Sequence, residues 1–207
     1  MASPCAPPRG RMSADPDEPP LPERLLDHVR RAPGLCLSDL RRALGTSWDA
    51  GPERELEDNL VMAAILCDAT GKALSDRHFV YFNQMVDPDL SAGHLEEVLG
   101  PDKEQIEVDL RAVPSEVHRI TVVLYINDRP GRRRTLGQLK SCRLRVLNLA
   151  TGQQIVSSVE LTKSITAETA MVMGELYRHQ GGWKFRVVAQ GYSKGLLGVA
   201  QQYGVQL

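Results

Sequence analysis

Four of the six residues Arg129-Pro130-Gly131-Arg132-Arg133-Arg134 are arginines. Planar guanidinium groups fork onto phosphate oxygens, so such a loop could hold a phosphate or an RNA backbone. The Pro-Gly step marks it as a turn between two strand-like runs. No aromatic side chains are interleaved to stack bases, and a net charge of −1 supplies no attracting field. Nucleic acid is therefore not an expected partner, with Arg129, Arg132, Arg133 and Arg134 a weak exception. His28, His78, His94, His118 and His179 form no H-x-H or H-E-x-x-H pattern, so zinc has no support. His78 lies in a strand-like run and reads as structural. Cys5, Cys36, Cys67 and Cys142 form no C-x-x-C and read as thiols without a catalytic role in a reducing cytoplasm. Neither a nucleophile elbow nor a phosphate-binding P-loop is present. Gly191 and Gly195 punctuate a strand-to-helix turn that could cradle an anion, with close backbone packing as the default reading.

These residues need a scaffold, and the pattern of apolar positions predicts one. The chain has 207 residues, 42% hydrophobic and 25% charged, ordinary values for a globular protein. No apolar run is long enough to span a membrane, and the N-terminus lacks the apolar stretch of a secretory signal. Residues 1–22 are proline-rich with few large apolar side chains and read as a disordered tail. Residues 23–47 read as a helical segment. In it Leu25, Leu26 and Val29 share one face of a first helix, and Ser38 and Gly45 bound a second.

From about residue 56 the period changes from helical to two. AAILC (63–67), HFVYF (78–82), IEVDL (106–110), RITVVLYIN (119–127), CRLRVLNL (142–149), QQIVSSVEL (153–161), AMVMGELYR (170–178) and GWKFRVVAQ (182–190) read as short strands separated by turn residues. Their spacing predicts a mainly β fold, a two-sheet antiparallel β-sandwich with a few short helices. The last strand should bury Trp183, Phe185, Val187 and Ala189 and expose Lys184, Arg186 and Gln190. Ser193 should cap a closing helix with Leu196, Val199, Ala200 and Tyr203 on one face and Gly204 at its end.

Several longer motifs, in order, resemble the TerD-type stress and tellurium-resistance family. They are SWDA (47–50), SDRHFVYFNQ (75–84), GPDKEQIEVDLRAVPSEVHRI (100–120) and ETAMVMGELYRHQGGWKFRVVAQGYSKGL (168–196). The match runs from about Trp48 to Leu207, so residues 48–207 are expected to form the TerD-like sandwich. The resemblance implies a bacterial stress-response protein that binds calcium through clustered carboxylates, with no defined catalytic activity. Other stress-response proteins are the partners it suggests.

The departures are specific. The family's D-x-D before its first core strand falls on Asn59-Leu60-Val61, and its acidic run falls on Pro101-Asp102-Lys103-Glu104. The loop before that run is replaced by SAGHLEEVLG (91–100). Asp102 and Glu104, with Asp49 and Asp58, remain as metal-ligand candidates. Calcium needs six to eight oxygen ligands, several anionic. Losing two acids and gaining an ammonium group therefore implies a degenerate site, with calcium binding weak or lost. The expected function is binding, of calcium or of partner proteins, and not catalysis. The alternatives are a metal-independent protein-interaction scaffold and, less favoured, a hydrolase with a loop-borne active site.

Overall fold

The computed structural model describes residues 41–127 and 134–207. The expected tail over 1–22 and the first expected helix, from residue 23, lie outside those residues. Ten strands form two five-stranded antiparallel sheets. The first sheet contains β1 (Arg41–Asp49), β4 (Ala92–His94), β5 (Glu104–Asp109), β7 (Ser141–Asn148) and β8 (Gln154–Ser157), in the order β4-β5-β1-β7-β8. The second contains β2 (Leu60–Cys67), β3 (Phe79–Val80), β6 (Arg119–Ile126), β9 (Ala170–His179) and β10 (Gly182–Tyr192), in the order β10-β9-β6-β2-β3. Two short helices, α1 (Arg54–Glu57) and α2 (Gly195–Tyr203), complete the main elements. Among the described residues no helix is long and apolar enough to cross a membrane.

The core follows from alternation. Leu44, Ile106, Leu144 and Val146 of the first sheet meet Met62, Leu66, Ile120, Val122 and Leu124 of the second in one buried cluster. The opposite parity of the second sheet faces outward. There Ala63, Ile65, Val123 and Tyr125 pack under Val199, Ala200 and Tyr203 of α2. Burying both faces of this sheet explains why β2 reads as a nearly continuous apolar run. Gly204, with φ of 72°, ends α2 as its sequence predicts. The predicted Ser193 cap is not made, because β10 extends to Tyr192 and the helix begins only at Gly195, with no side-chain cap.

One expected element is wrong. Residues 41–47, assigned to a helical segment, belong to β1, the central strand of the first sheet, paired with β5 on one side and β7 on the other. The sandwich therefore starts before Trp48. The signals that suggest a helix, Ser38 and Gly45 at its ends, are local, and hydrogen bonds to two neighbouring strands outweigh them. Gly45, expected to end a helix, sits in mid-strand.

The hairpin β9–β10 turns through Gln180-Gly181, whose φ angles of 48° and 78° are both left-handed. This is the two-residue type I′ geometry whose twist matches that of the flanking strands. Trp183 is buried in the main cluster with Ile120 and Leu176. The Arg178 guanidinium lies 4.6 Å from the Trp183 ring centroid. It also donates to the carbonyls of Val117, Val113 and Pro114 at 2.7, 3.0 and 2.9 Å. Arg178 thus ties the Val-Pro turn to the end of the sandwich. Further along, the β10 register shifts between Val187 and Gln190, and Ala189 has φ of 54°. Val188 and Tyr192 lie against the outer cluster, while Phe185, Val187 and Ala189 lie against the main core, as the alternation predicts.

Trp183→Ala removes a buried indole at the closed end of the core. It should destabilise the fold by roughly 3–5 kcal/mol in urea unfolding. A loss below about 1 kcal/mol would show that the ring adds little to the core.

Candidate functional site

The chain from β1 through α1 into β2 lies beside the start of β5, and this junction carries all four acids singled out in the sequence. Each acid has a different assignment. Asp102 is buried, with its side chain 1% exposed. Its carboxylate accepts from Arg145 Nε at 2.7 and 3.0 Å and from Gln105 Nε2 at 2.5 Å. Gly45 stands directly opposite Gln105 on one side and Arg145 on the other. A Cβ on Gly45 would lie 1.9 Å from Asp102 Oδ2, so the absent side chain is what admits the carboxylate. Gln105 also holds both backbone groups of Leu99, at 2.8 and 2.9 Å, and Arg145 Nη2 donates to the Leu99 carbonyl at 3.0 Å. The pair Arg145–Asp102 therefore fastens the 99–102 loop onto the outer face of the first sheet.

Lys103 donates through its backbone N–H to the Thr46 carbonyl at 2.7 Å. Its ammonium group is 2.5 Å from a Glu57 oxygen at the end of α1. Glu104 crosses between the sheets, where its Oε2 accepts the Met62 N–H at 2.8 Å. Burial pushes the Glu104 carboxyl above its ordinary range, offset only in part by that hydrogen bond. Asp49 is exposed and accepts the Gly51 N–H at 2.7 Å. Asp58 is exposed at the end of α1. Asn59 donates to the Glu55 carbonyl at 2.7 Å, and Val61 packs against the outer apolar cluster.

These residues do not fit a tight calcium cage. Calcium asks for six to eight oxygens with several anionic charges. Here the Asp102 oxygens are engaged by Arg145 and Gln105, Glu104 is engaged by a backbone N–H, and an ammonium group stands between the two acids in sequence. Among the described residues, the one group of three ligand-type side chains within 4.8 Å of one another lies elsewhere, at His78, Asp87 and Asp89.

That second group was not singled out as a site in the sequence. His78 is buried in a 3-10 turn just before β3. Its Nδ1 is 2.8 Å from Ser75 Oγ and its Nε2 is 3.0 Å from Asp89 Oδ2. Asp87 accepts the Ser91 and Ala92 N–H groups at 2.7 and 2.5 Å and the Ser91 hydroxyl at 3.1 Å. The only local signals were the Ser-x-x-His spacing and the Asp-Pro-Asp run nine residues on. The links tie the 3-10 turn to the 87–92 loop.

Arg134, part of the proposed phosphate loop, is buried and ion-paired with Glu55 of α1. It fastens α1 and is not presented to a phosphate ligand. Arg129, Arg132 and Arg133 lie outside the described residues. Cys67 and Cys142 are buried free thiols pushed up to about 12 by loss of hydration. Burial disfavours the thiolate form of both.

Comparison with known proteins adds a lineage to this geometry. The TerD domain matches residues 38–203. The chain is 39% identical over 166 residues to the tellurium resistance protein TerD of Serratia marcescens, spanning 78% of this chain and 86% of that protein. It is 32% identical over 187 residues to general stress protein 16U of Bacillus subtilis, spanning 88% and 94%. Among solved structures, a homologue of telluride resistance protein (TerD) from Streptomyces coelicolor A3(2) shares the fold. Its TM-score is 0.61 at 16% identity, over 82% of this chain and all of that one. The matched region begins within the stretch first expected to be helical, in agreement with β1 as part of the sandwich.

Removing one partner of the fastening pair should expose its role. Asp102→Ala leaves the Arg145 guanidinium, 18% exposed, without its anion. The expected loss is roughly 2–4 kcal/mol, somewhat below that for a fully buried pair. Limited proteolysis should then cut first within residues 95–103. Unchanged cleavage there would mean that Gln105 alone holds the loop.

Proposed function

The chain belongs to the TerD family, and from that premise we propose that it contributes to tellurium and stress resistance by binding, without catalysis and with its calcium locus degenerate. The observation that carries the reading is the engagement of Asp102 by Arg145 and Gln105, beside a Lys103 ammonium group paired with Glu57. Protein cations stand where the family resemblance calls for anionic ligands around an ion. Calcium binding at this locus is accordingly weak or lost. The fastening of the 99–102 loop by side chains favours the metal-independent form of the reading, an interaction module that keeps its shape without an ion. Partners of such a module would be proteins of the same stress response. The reduced Cys67 and Cys142 fit a cytoplasmic home.

Calcium titration calorimetry tests the metal part. Lys103→Asp adds a carboxylate at the locus and removes the ammonium group, while Val61, which packs on the outer face of the second sheet, is left unchanged. The change is worth on the order of 1.4 kcal/mol or more, so the variant should bind calcium at least about tenfold more tightly than the parent chain. Tight binding by the parent chain would overturn the reading. No gain in the variant would mean that the altered 91–100 loop has also lost the geometry, leaving the parent site degenerate for two reasons.

A hydrolase remains the competing class, and the Ser75–His78–Asp89 chain of hydrogen bonds is its natural candidate. We read that chain as a fastening between a 3-10 turn and its neighbouring loop. A fluorophosphonate probe should leave Ser75 unmodified. Stoichiometric labelling of Ser75 would favour the hydrolase.

A further inference from the structure

Arg42 stands near the start of β1, on the same side of the strand as Leu44 and Trp48, which line the main core. Its neighbours across the ladders are Val108 of β5 and Asn148 of β7, and Val108 belongs to that core. Arg42 is only 4% exposed. A guanidinium group cannot shed its proton, and a buried charge without a counter-charge is strongly unfavourable. For packing alone, an apolar residue would serve better here.

The chain supplies no counter-charge. Among the described residues no carboxylate forms an ion pair with Arg42. Glu107 and Asp109, the acids that flank Val108, alternate onto the outer face of the sheet. There Glu107 pairs with Arg41 at 2.5 Å, and Asp109 accepts the Arg111 N–H at 3.0 Å. The one hydrogen bond of Arg42 runs from Nη1 to the Arg41 carbonyl at 3.2 Å, and that oxygen already accepts the Leu149 N–H. The bond therefore fastens no distant element. Arg178 shows the contrast, since it holds three carbonyls of the turn after β5. Arg42 Nε is buried with no partner. The Nε–Nη2 edge, the fork that fits two oxygens of one anion, stays open.

The surroundings say what fits that edge. Asn148 faces Arg42 across the ladder and is half-buried. Its Oδ1 accepts the Ala150 N–H at 2.9 Å, which orients the amide and leaves its NH2 group as a second donor. Arg41 and Leu149, whose backbone groups meet at the carbonyl that holds Arg42, line a cavity of about 390 Å³ with Asp109, Arg111 and Ala150. The Asp109 carboxylate repels an anion, so the ligand belongs on the Leu149 side. A guanidinium group this deeply buried is reached by a small free anion and not by the surface of a folded protein.

We propose that Arg42 and Asn148 bind a small oxyanion, a phosphate or an ion of like form such as tellurite, where β1 begins. The guanidinium fork takes two oxygens and the amide takes another. This adds a ligand class to the binding reading above and involves none of the residues of the calcium locus.

The test uses the full chain with two probes, inorganic phosphate and tellurite, the latter an oxyanion of the element in its relatives' names. Calorimetry should show binding of at least one probe, with a rise in melting temperature, and the tighter arm identifies the source of the oxyanion. Arg42→Leu should weaken that binding at least about tenfold. With no oxyanion added it should melt no lower than the parent chain, because it removes an unpaired charge. Arg42→Lys keeps the charge without the fork and should also lose most of the affinity. Asn148→Asp supplies a counter-charge from within, so it should raise the melting temperature and abolish oxyanion binding. No binding of either probe, or binding undiminished in Arg42→Leu, would overturn the proposal. A lower melting temperature of Arg42→Leu without oxyanion would overturn it too, by showing that the chain itself satisfies the arginine. Calcium enters none of these measurements, so failure here is distinguishable from failure of the calcium titration.

Discussion

Every strand carries backbone donors and acceptors that must find partners, and in two open sheets the ladders run out at the edges. Much of the distinctive chemistry of this chain sits where they do. β3 pairs with β2 only at Ala64 and Ile65, so the Met62 N–H lies beyond the last rung. Glu104 reaches across from the first sheet to accept it. A half-buried carboxylate, costly to desolvate, ends a ladder there and ties the two sheets together. Its neighbour Asp102 performs a related task on the other face, holding a loop over the first sheet through Arg145 and Gln105. The two acids that read as one ligand set serve two separate structural ends.

That division explains what was legible in the sequence. The two-residue period of β6 and β7 gave their inward faces directly, because both strands alternate without interruption over the core. The same period found Trp183, Phe185, Val187 and Ala189. The bulge between Val187 and Gln190, with positive φ at Ala189, was not legible, because nothing in the local composition announces it. β1 was misread because Ser38 and Gly45 look like the two ends of a helix, while its pairing with β7 and β5 involves residues about a hundred and about sixty positions away. Gly45 is the clearest case. In sequence it looks like a helix stop; in the fold it is the gap that admits the Asp102 carboxylate.

The candidate site was legible only in part for the same reason. The alignment of motifs located the junction of α1, β2 and β5 and identified Lys103 as the foreign charge. It could not show that the partner of Asp102 is Arg145, 43 residues downstream, or that Arg134 is taken up by Glu55 across 79 residues. Long-range ion pairs leave no local pattern. The group at His78, Asp87 and Asp89 was hidden differently. Its members are close in sequence, yet only the turn that brings His78 back against Asp89 makes them neighbours.

An ion and an internal salt bridge can hold the same loop, but they differ in reversibility. A bound ion responds to its concentration and can be removed. A guanidinium group on β7 is tethered, and its local concentration does not vary with the medium. On the proposed reading, replacing an acid by Lys103 and engaging Asp102 with Arg145 converts a loop that answers to calcium into one that is always ordered. The exchange also moves the burden of specificity. On that reading, a protein that does not sense an ion at this locus must act through surfaces whose shape is fixed by internal ion pairs such as Arg145–Asp102.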